Sequence, residues 1–98
     1  MLDQLTKEQF APHVGSTFQV RLNPQETVPL TLAEVSVYPD HEEGLRRQPF
    51  SLIFRGAHRF VLPQRIYPVE HEGFEPMELF LVPLGPDGQG MRYEAVFN

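Results

Sequence analysis

Cysteine is missing from all 98 residues, so neither a disulfide nor a thiolate metal site is open to this chain. Long hydrophobic runs are missing as well, since no apolar stretch approaches the roughly 20 residues that a membrane helix needs. The opening "MLDQLTKEQF" has no basic segment followed by an apolar one and so lacks the pattern of a signal peptide. These two absences lead to the expectation of no membrane association, and of a cytoplasmic protein or one carried outward inside a larger assembly. Positive charge is in deficit: 8 Lys and Arg against 13 Asp and Glu leave a formal net charge of −5. That balance argues against a nucleic-acid partner, because phosphate neutralisation supplies most non-specific affinity for polyanions. No phosphate-cradling glycine loop occurs, and Ser16, Ser36 and Ser51 lie on ordinary strand patterns without a nucleophile elbow. No catalytic residue and no cofactor is therefore assigned.

What is present is punctuation. Ten prolines and seven glycines interrupt a chain that is 41% hydrophobic and contains eight phenylalanines, a composition that favours short strands joined by tight turns. The length suits one core and not two, so residues 1–98 are read as a single all-β domain. The one helical stretch is "LTKEQFAPHVG", where Thr6 and Gln9 fit a capping box and Gly15 suits a left-handed stop. Leu5, Phe10 and Val14 would share its apolar face as a lid over one end of the β core, with Pro12 limiting it to about two turns. Alternation then marks strands with Phe18, Val20 and Leu22 inward, and Phe50, Leu52 and Phe54 inward. In "VPLTLAEVSVY" the inward set changes phase from Val28, Leu30 and Leu32 to Ala33, Val35 and Val37, which predicts a bulge. Residues 39–48 read as a polar loop, and Pro86-Asp87-Gly88 as the turn of a last hairpin that ties Tyr93, Ala95 and Phe97 into the sheet. The sum is an all-β fold, a small barrel or curled sandwich of about six mostly antiparallel strands with one short N-terminal helix.

Two stretches gather groups that carry chemistry. In "YPVEHEG" alternation puts Glu70 and Glu72 on one face and His71 on the other, with Tyr67 and Val69, so the three cannot converge on one ion or proton. The preferred reading is a half-buried histidine bonded to backbone and two solvated carboxylates, with Pro68 placing this strand at an edge or beside a bulge. In "PDHEEG" Asp40, His41, Glu42 and Glu43 lack calcium-loop spacing and read as an acidic loop. A metal site would have to join His71 to His41 or His58 across strands, which defines the alternative of a small metal-dependent barrel enzyme. The histidines at 13, 41, 58 and 71 show no paired His-x-His spacing, so no metal is assigned. A ligand-holding barrel is the third option, with little interior left over from side chains at this size.

The arginines are distributed unevenly. Residues 44–69 hold no acidic residue, yet Arg46, Arg47, Arg55, Arg59 and Arg65 fall there. They form either a basic patch for an acidic partner or a phosphate, or cross-strand ion pairs with the acidic segment 70–78.

"LTKEQFAPHVGSTFQV", "PFSLIFRG" followed by "LPQRIYPVEHEG", and the closing "ELFLVPLGPDGQGMRYEAVFN" together resemble a family of small uncharacterised bacterial proteins, a domain of unknown function often encoded beside phage tail-collar or fibre-type proteins. The resemblance spans nearly the whole chain, and "YEAVFN" is its most specific part. It implies an accessory or structural role near a fibre or tail-like assembly and brings no catalytic residues with it. Together with the composition it leads to the expectation of a non-enzymatic structural or protein-binding module that contacts its partner through Arg46, Arg47, Arg55, Arg59 and Arg65, or through a strand edge near Pro68.

Overall fold

The computed structural model describes residues 5–37, 49–58 and 60–97. A short helix, α1 (Lys7–Phe10), runs into a 3-10 turn (Ala11–His13) and precedes six strands: β1 (Thr17–Asn23), β2 (Glu26–Val37), β3 (Phe50–Gly56), β4 (Arg65–Glu70), β5 (Met77–Pro86) and β6 (Met91–Phe97). All pairings are antiparallel, and the strands close into a barrel in the order β1-β2-β3-β6-β5-β4. Two three-strand meanders are thus joined along β3–β6 and β1–β4. Because β4 lies beside β1, the run β4-β1-β2-β3 is a Greek key.

The alternation expected for the strands holds over most of their length, although Val37, expected inward, is 42% exposed and Leu22 is only partly buried. Phe18 and Val20, Leu30 and Leu32, Phe50, Leu52 and Phe54, Tyr67 and Val69, Leu79 and Leu81, and Tyr93, Ala95 and Phe97 all point inward and are buried. The predicted phase change in β2 is a real bulge: the register with β3 shifts between Leu32 and Glu34, which leaves Ala33 as the extra residue. Beyond it Val35 and Val37 stand opposite Leu52 and Phe50.

One end of the barrel is covered by α1. The Thr6 N–H donates to Gln9 Oε1 at 2.7 Å and the Gln9 N–H donates to the Thr6 carbonyl at 3.0 Å, so the helix starts where the capping pattern predicts. Gly15 has a positive φ of 95°, as a left-handed stop requires. Phe10 is fully buried against Phe74, Phe97 and Phe50, with ring centroids 4.7, 5.5 and 6.0 Å away. Val14 departs from the expected apolar face. The 3-10 turn with Pro12 ends at His13, so Val14 falls beyond the helix and is exposed.

The other end is covered by the connection from β3 to β4, which bypasses β6 and β5. Leu62 is the plug, 2% exposed. Its backbone N–H donates to the Tyr93 hydroxyl at 3.0 Å, while the Tyr67 hydroxyl donates to the Pro63 carbonyl at 2.6 Å. The hairpin between β5 and β6 packs closely on the end of β3: a Cβ on Gly90, whose φ is +145°, would sit 2.2 Å from the Gly56 carbonyl oxygen.

One sequence expectation is overturned. Pro68 is not on an edge strand, because β4 is paired on both sides. The β1–β4 ladder consists of Gln19↔Glu70 and Val20↔Val69 and stops short of Pro68, which has no N–H to extend it. The proline ends a seam inside a closed barrel.

The C-terminal strand pairs with β3 from Met91 to Phe97, and Phe97 stacks on Phe50 at 4.7 Å. Phe97→Ala is expected to cost about 3–5 kcal/mol in urea unfolding. Removal of residues 95–98 is expected to abolish a cooperative thermal transition, and an unchanged Tm would show that this strand is dispensable.

Candidate functional site

The segment that carries the ligand-rich motif leaves β4 at Glu70 and turns over the helix end of the barrel. Alternation assigns His71 inward, and its ring lies on the buried Phe18 at 4.3 Å, edge-on to His13 at 4.9 Å and beside Phe74 at 5.5 Å. The Gly73 N–H donates to His71 Nδ1 at 2.8 Å. Nδ1 therefore carries a lone pair, which places the proton of the neutral ring on Nε2. That nitrogen lies 3.1 Å from Ser16 Oγ, and Ser16 Oγ donates in turn to the His13 carbonyl at 2.7 Å.

The chain of bonds fixes the chemistry. Ser16 and His71 have the separation of a nucleophile–base pair, but the imidazole donates to the hydroxyl and the hydroxyl proton is held by a backbone carbonyl. An activated serine needs the opposite polarity, with an imidazole lone pair facing the hydroxyl. With Nδ1 occupied by Gly73 and Nε2 by Ser16, His71 also offers no nitrogen to a metal. It is a half-buried histidine satisfied by neighbours, as preferred from the sequence.

Glu70 ends β4 on its outer face, and Glu72 follows in the turn beyond the strand, where alternation no longer applies; both line the same cleft as His71. Arg21 from β1 holds Glu70 through Nε at 2.8 Å and Nη2 at 3.3 Å. The Arg21 hydrogen bonds lower the Glu70 carboxyl below its ordinary value, and the same contact raises the guanidinium. Around this pair Thr17, Gln19, Glu72, Phe74 and Pro76 line an open cleft of about 580 Å³ where β1 and β4 diverge, with Ser16 and His71 at its inner wall. It presents one bound and one unpaired carboxylate.

His58 sits at the opposite end of the barrel, on the β3–β4 crossover. Its Nε2 is 2.8 Å from the Tyr93 hydroxyl, which already accepts from Leu62, so the tyrosine donates to a neutral imidazole. Burial holds the His58 pKa below the ordinary imidazole value and raises that of Tyr93. His71 and His58 are thus not brought together, His41 lies outside the described residues, and among the described residues no group of three or more His, Asp or Glu converges.

Of the arginines, Arg55 donates through Nε at 3.0 Å and Nη2 at 2.5 Å to Asp87 in the β5–β6 turn, which lowers the Asp87 carboxyl. Arg65 lies at the crossover end with its guanidinium 4.9 Å from the Tyr67 ring. Arg46, Arg47 and Arg59 lie outside the described residues. The acidic segment 70–78 is not what pairs with Arg55, and Glu70 takes Arg21 instead. The sequence reading missed Ser16 and His13 as partners of His71, Arg21 as partner of Glu70, and the role of Tyr93. Each lies far along the chain from its partner, so no local pattern announces it.

A family model described as "Domain of unknown function (DUF6916)" matches residues 5–97, and the chain belongs to that family. No curated protein and no solved structure matches it. No helix among the described residues is long and apolar enough to cross a membrane.

His71→Ala removes a ring from Phe18 and an acceptor from the Gly73 N–H, and is expected to cost about 1–3 kcal/mol. Arg21→Ala breaks only an exposed pair and should cost less in the same urea titration. For His58 the folded pKa is depressed, so the unfolded chain takes up a proton that the folded chain resists. Its contribution is complete above the unfolded imidazole value of about 6.5 and is lost as pH falls below it. The unfolding free energy should therefore drop between about pH 7 and pH 5.5, and His58→Gln should flatten that slope. Equal slopes in the two proteins would rule His58 out as its source.

Proposed function

We propose that this member of the family is a non-enzymatic structural or protein-binding accessory module that docks an acidic surface of a protein partner with the crossover end of its barrel. The observation that carries this reading is the exposure of two consecutive large apolar side chains, Phe60 at 53% and Val61 at 54%, on that crossover. The connection around them is held by Leu62, Tyr93 and Tyr67. An aromatic side chain on a pinned loop is a ready anchor, since little conformational freedom remains to be lost on binding.

Arginine is the cation favoured at protein interfaces, and the arginine-rich, acid-free segment 44–69 is the one that supplies the crossover. Arg65 follows Phe60 and Val61 at the start of β4, and Arg55 precedes them at the end of β3. Arg59, which lies outside the described residues, is assigned to the same surface in this proposal. Its interior supports the reading from the other side: Phe18, Phe54, Leu30, Leu32, Tyr67 and Tyr93, all below 2% exposure, occupy the barrel, so recognition falls to the exterior. The family resemblance adds the partner class, a protein of a tail-collar or fibre-type assembly.

The test is capture of such a protein by the tagged chain when the two are co-expressed. Phe60→Ser/Val61→Ser and Arg55→Glu/Arg59→Glu are each expected to lower capture about tenfold or more. Asp87→Ala, which frees Arg55 without removing it, should leave capture intact. Capture unaltered by both double variants, with all proteins folded by circular dichroism, would remove the crossover as the docking surface.

A further inference from the structure

The barrel's outer surface carries a second apolar feature that the docking proposal does not use. Ile66 on β4 and Phe80 on β5 are direct cross-strand partners, and both point outward, 60% and 49% exposed. On the same outer face Val82 stands opposite Glu94, Glu94 opposite Ile53, and Val96, 44% exposed, opposite Ser51. Exposed apolar side chains therefore cross β4 and β5 at Ile66 and Phe80 and continue on β6 at Val96, with Glu94 beside them on the same face. Cross-strand pairs of this kind belong in contact with something other than water.

Charge is distributed unequally along the strands that carry this band. Towards the crossover end, Arg55 and Arg92 are direct partners on the outer face; Asp87 is bonded to Arg55 and feels Arg92 only as a weaker charge attraction. The Arg92 Nε is buried and has no hydrogen-bond partner. Towards the helix end, Glu78 stands outward beside Phe80, opposite Pro68, and Glu75 and Glu72 follow in the adjoining connection. Among the described residues, none of these three carboxylates has a hydrogen-bond or ion-pair partner. The face thus has a positive end, a mainly apolar middle that includes Glu94, and a negative end.

Such a face is complementary to itself. A two-fold axis lying in the interface and running across the strands would set the arginine end of one copy over the glutamate end of the other, with the apolar bands in register. We infer that this face binds a second copy of the chain, forming an isologous dimer in which Phe80 and Ile66 form the centre and Arg92 faces Glu78 of the partner copy. Another partner would need only one of the two charged ends to match; a second copy uses both.

The experiment is sedimentation equilibrium of the full chain from micromolar to millimolar concentration. A monomer–dimer equilibrium is expected, weakened about tenfold or more by Phe80→Asp and by Ile66→Asp. Both residues are exposed, so both variants keep the fold. Glu78→Arg and Arg92→Glu should each weaken the dimer, and the two together should restore it. If Arg92→Glu does not fold, Glu78→Arg alone gives the charge readout. A chain that stays monomeric at every concentration overturns the inference. So does a dimer untouched by Phe80→Asp and Ile66→Asp, or a monomer that uses Phe80 to hold a different protein.

Discussion

The connection from β3 to β4 has to leave one strand, pass two others and return beside β1, and closure of the barrel depends on where it is held. Backbone that crosses the mouth of a barrel gives up water and needs other partners. Tyr93 and Tyr67 provide them from inside the sheet, one hydroxyl accepting from Leu62 and the other donating to Pro63. The same two side chains are among the largest fully buried groups in the molecule. A single pair of tyrosines thus fills the core and fixes the crossover. His58 extends the arrangement by accepting from Tyr93, which is why its neutral form is the one that fits.

With the crossover fixed, the rest of the geometry follows. Leu62 closes one end and Phe10 the other, so the interior is a packed core. The β1–β4 seam is the least extensive pairing in the barrel, and it is there that the cleft opens and the Glu70–Arg21 pair bridges the two strands. Among the described residues, several groups with chemical potential are held by partners: His71 serves Gly73 and Ser16, Arg55 serves Asp87, and Glu70 serves Arg21.

Local pattern carried much of this fold. Period-two alternation named most of the inward residues of β1, β2, β3, β4 and β6, and the phase slip at Ala33 located the bulge, since both depend only on neighbouring residues. The capping residues of α1 were legible for the same reason. Closure was not legible. Whether a strand has one neighbour or two depends on partners far along the chain, so Pro68 read as an edge when it marks the end of a seam. For the site, alternation set His71 apart from Glu70 and Glu72, yet all three line one cleft, because β4 ends at Glu70 and the chain turns there. It could not supply Ser16, which lies 55 residues from His71, or Arg21, which lies 49 residues from Glu70.

The uneven charge of the sequence acquires its meaning only through the topology. Within the acid-free segment, Arg55 at the end of β3 and Arg65 at the start of β4 flank the crossover at one end of the barrel. The acidic segment after it turns over the opposite end, where α1 adds Glu8. For these described residues, a linear segregation of charge becomes a polarity along the barrel axis. The Arg55–Asp87 pair blunts the positive end without cancelling it, because Arg92 stands directly opposite Arg55. A molecule with net negative charge and a concentrated positive end is attracted to acidic surfaces only in one orientation. That orientation presents Phe60 and Val61 first, so the electrostatics and the apolar anchor select the same end.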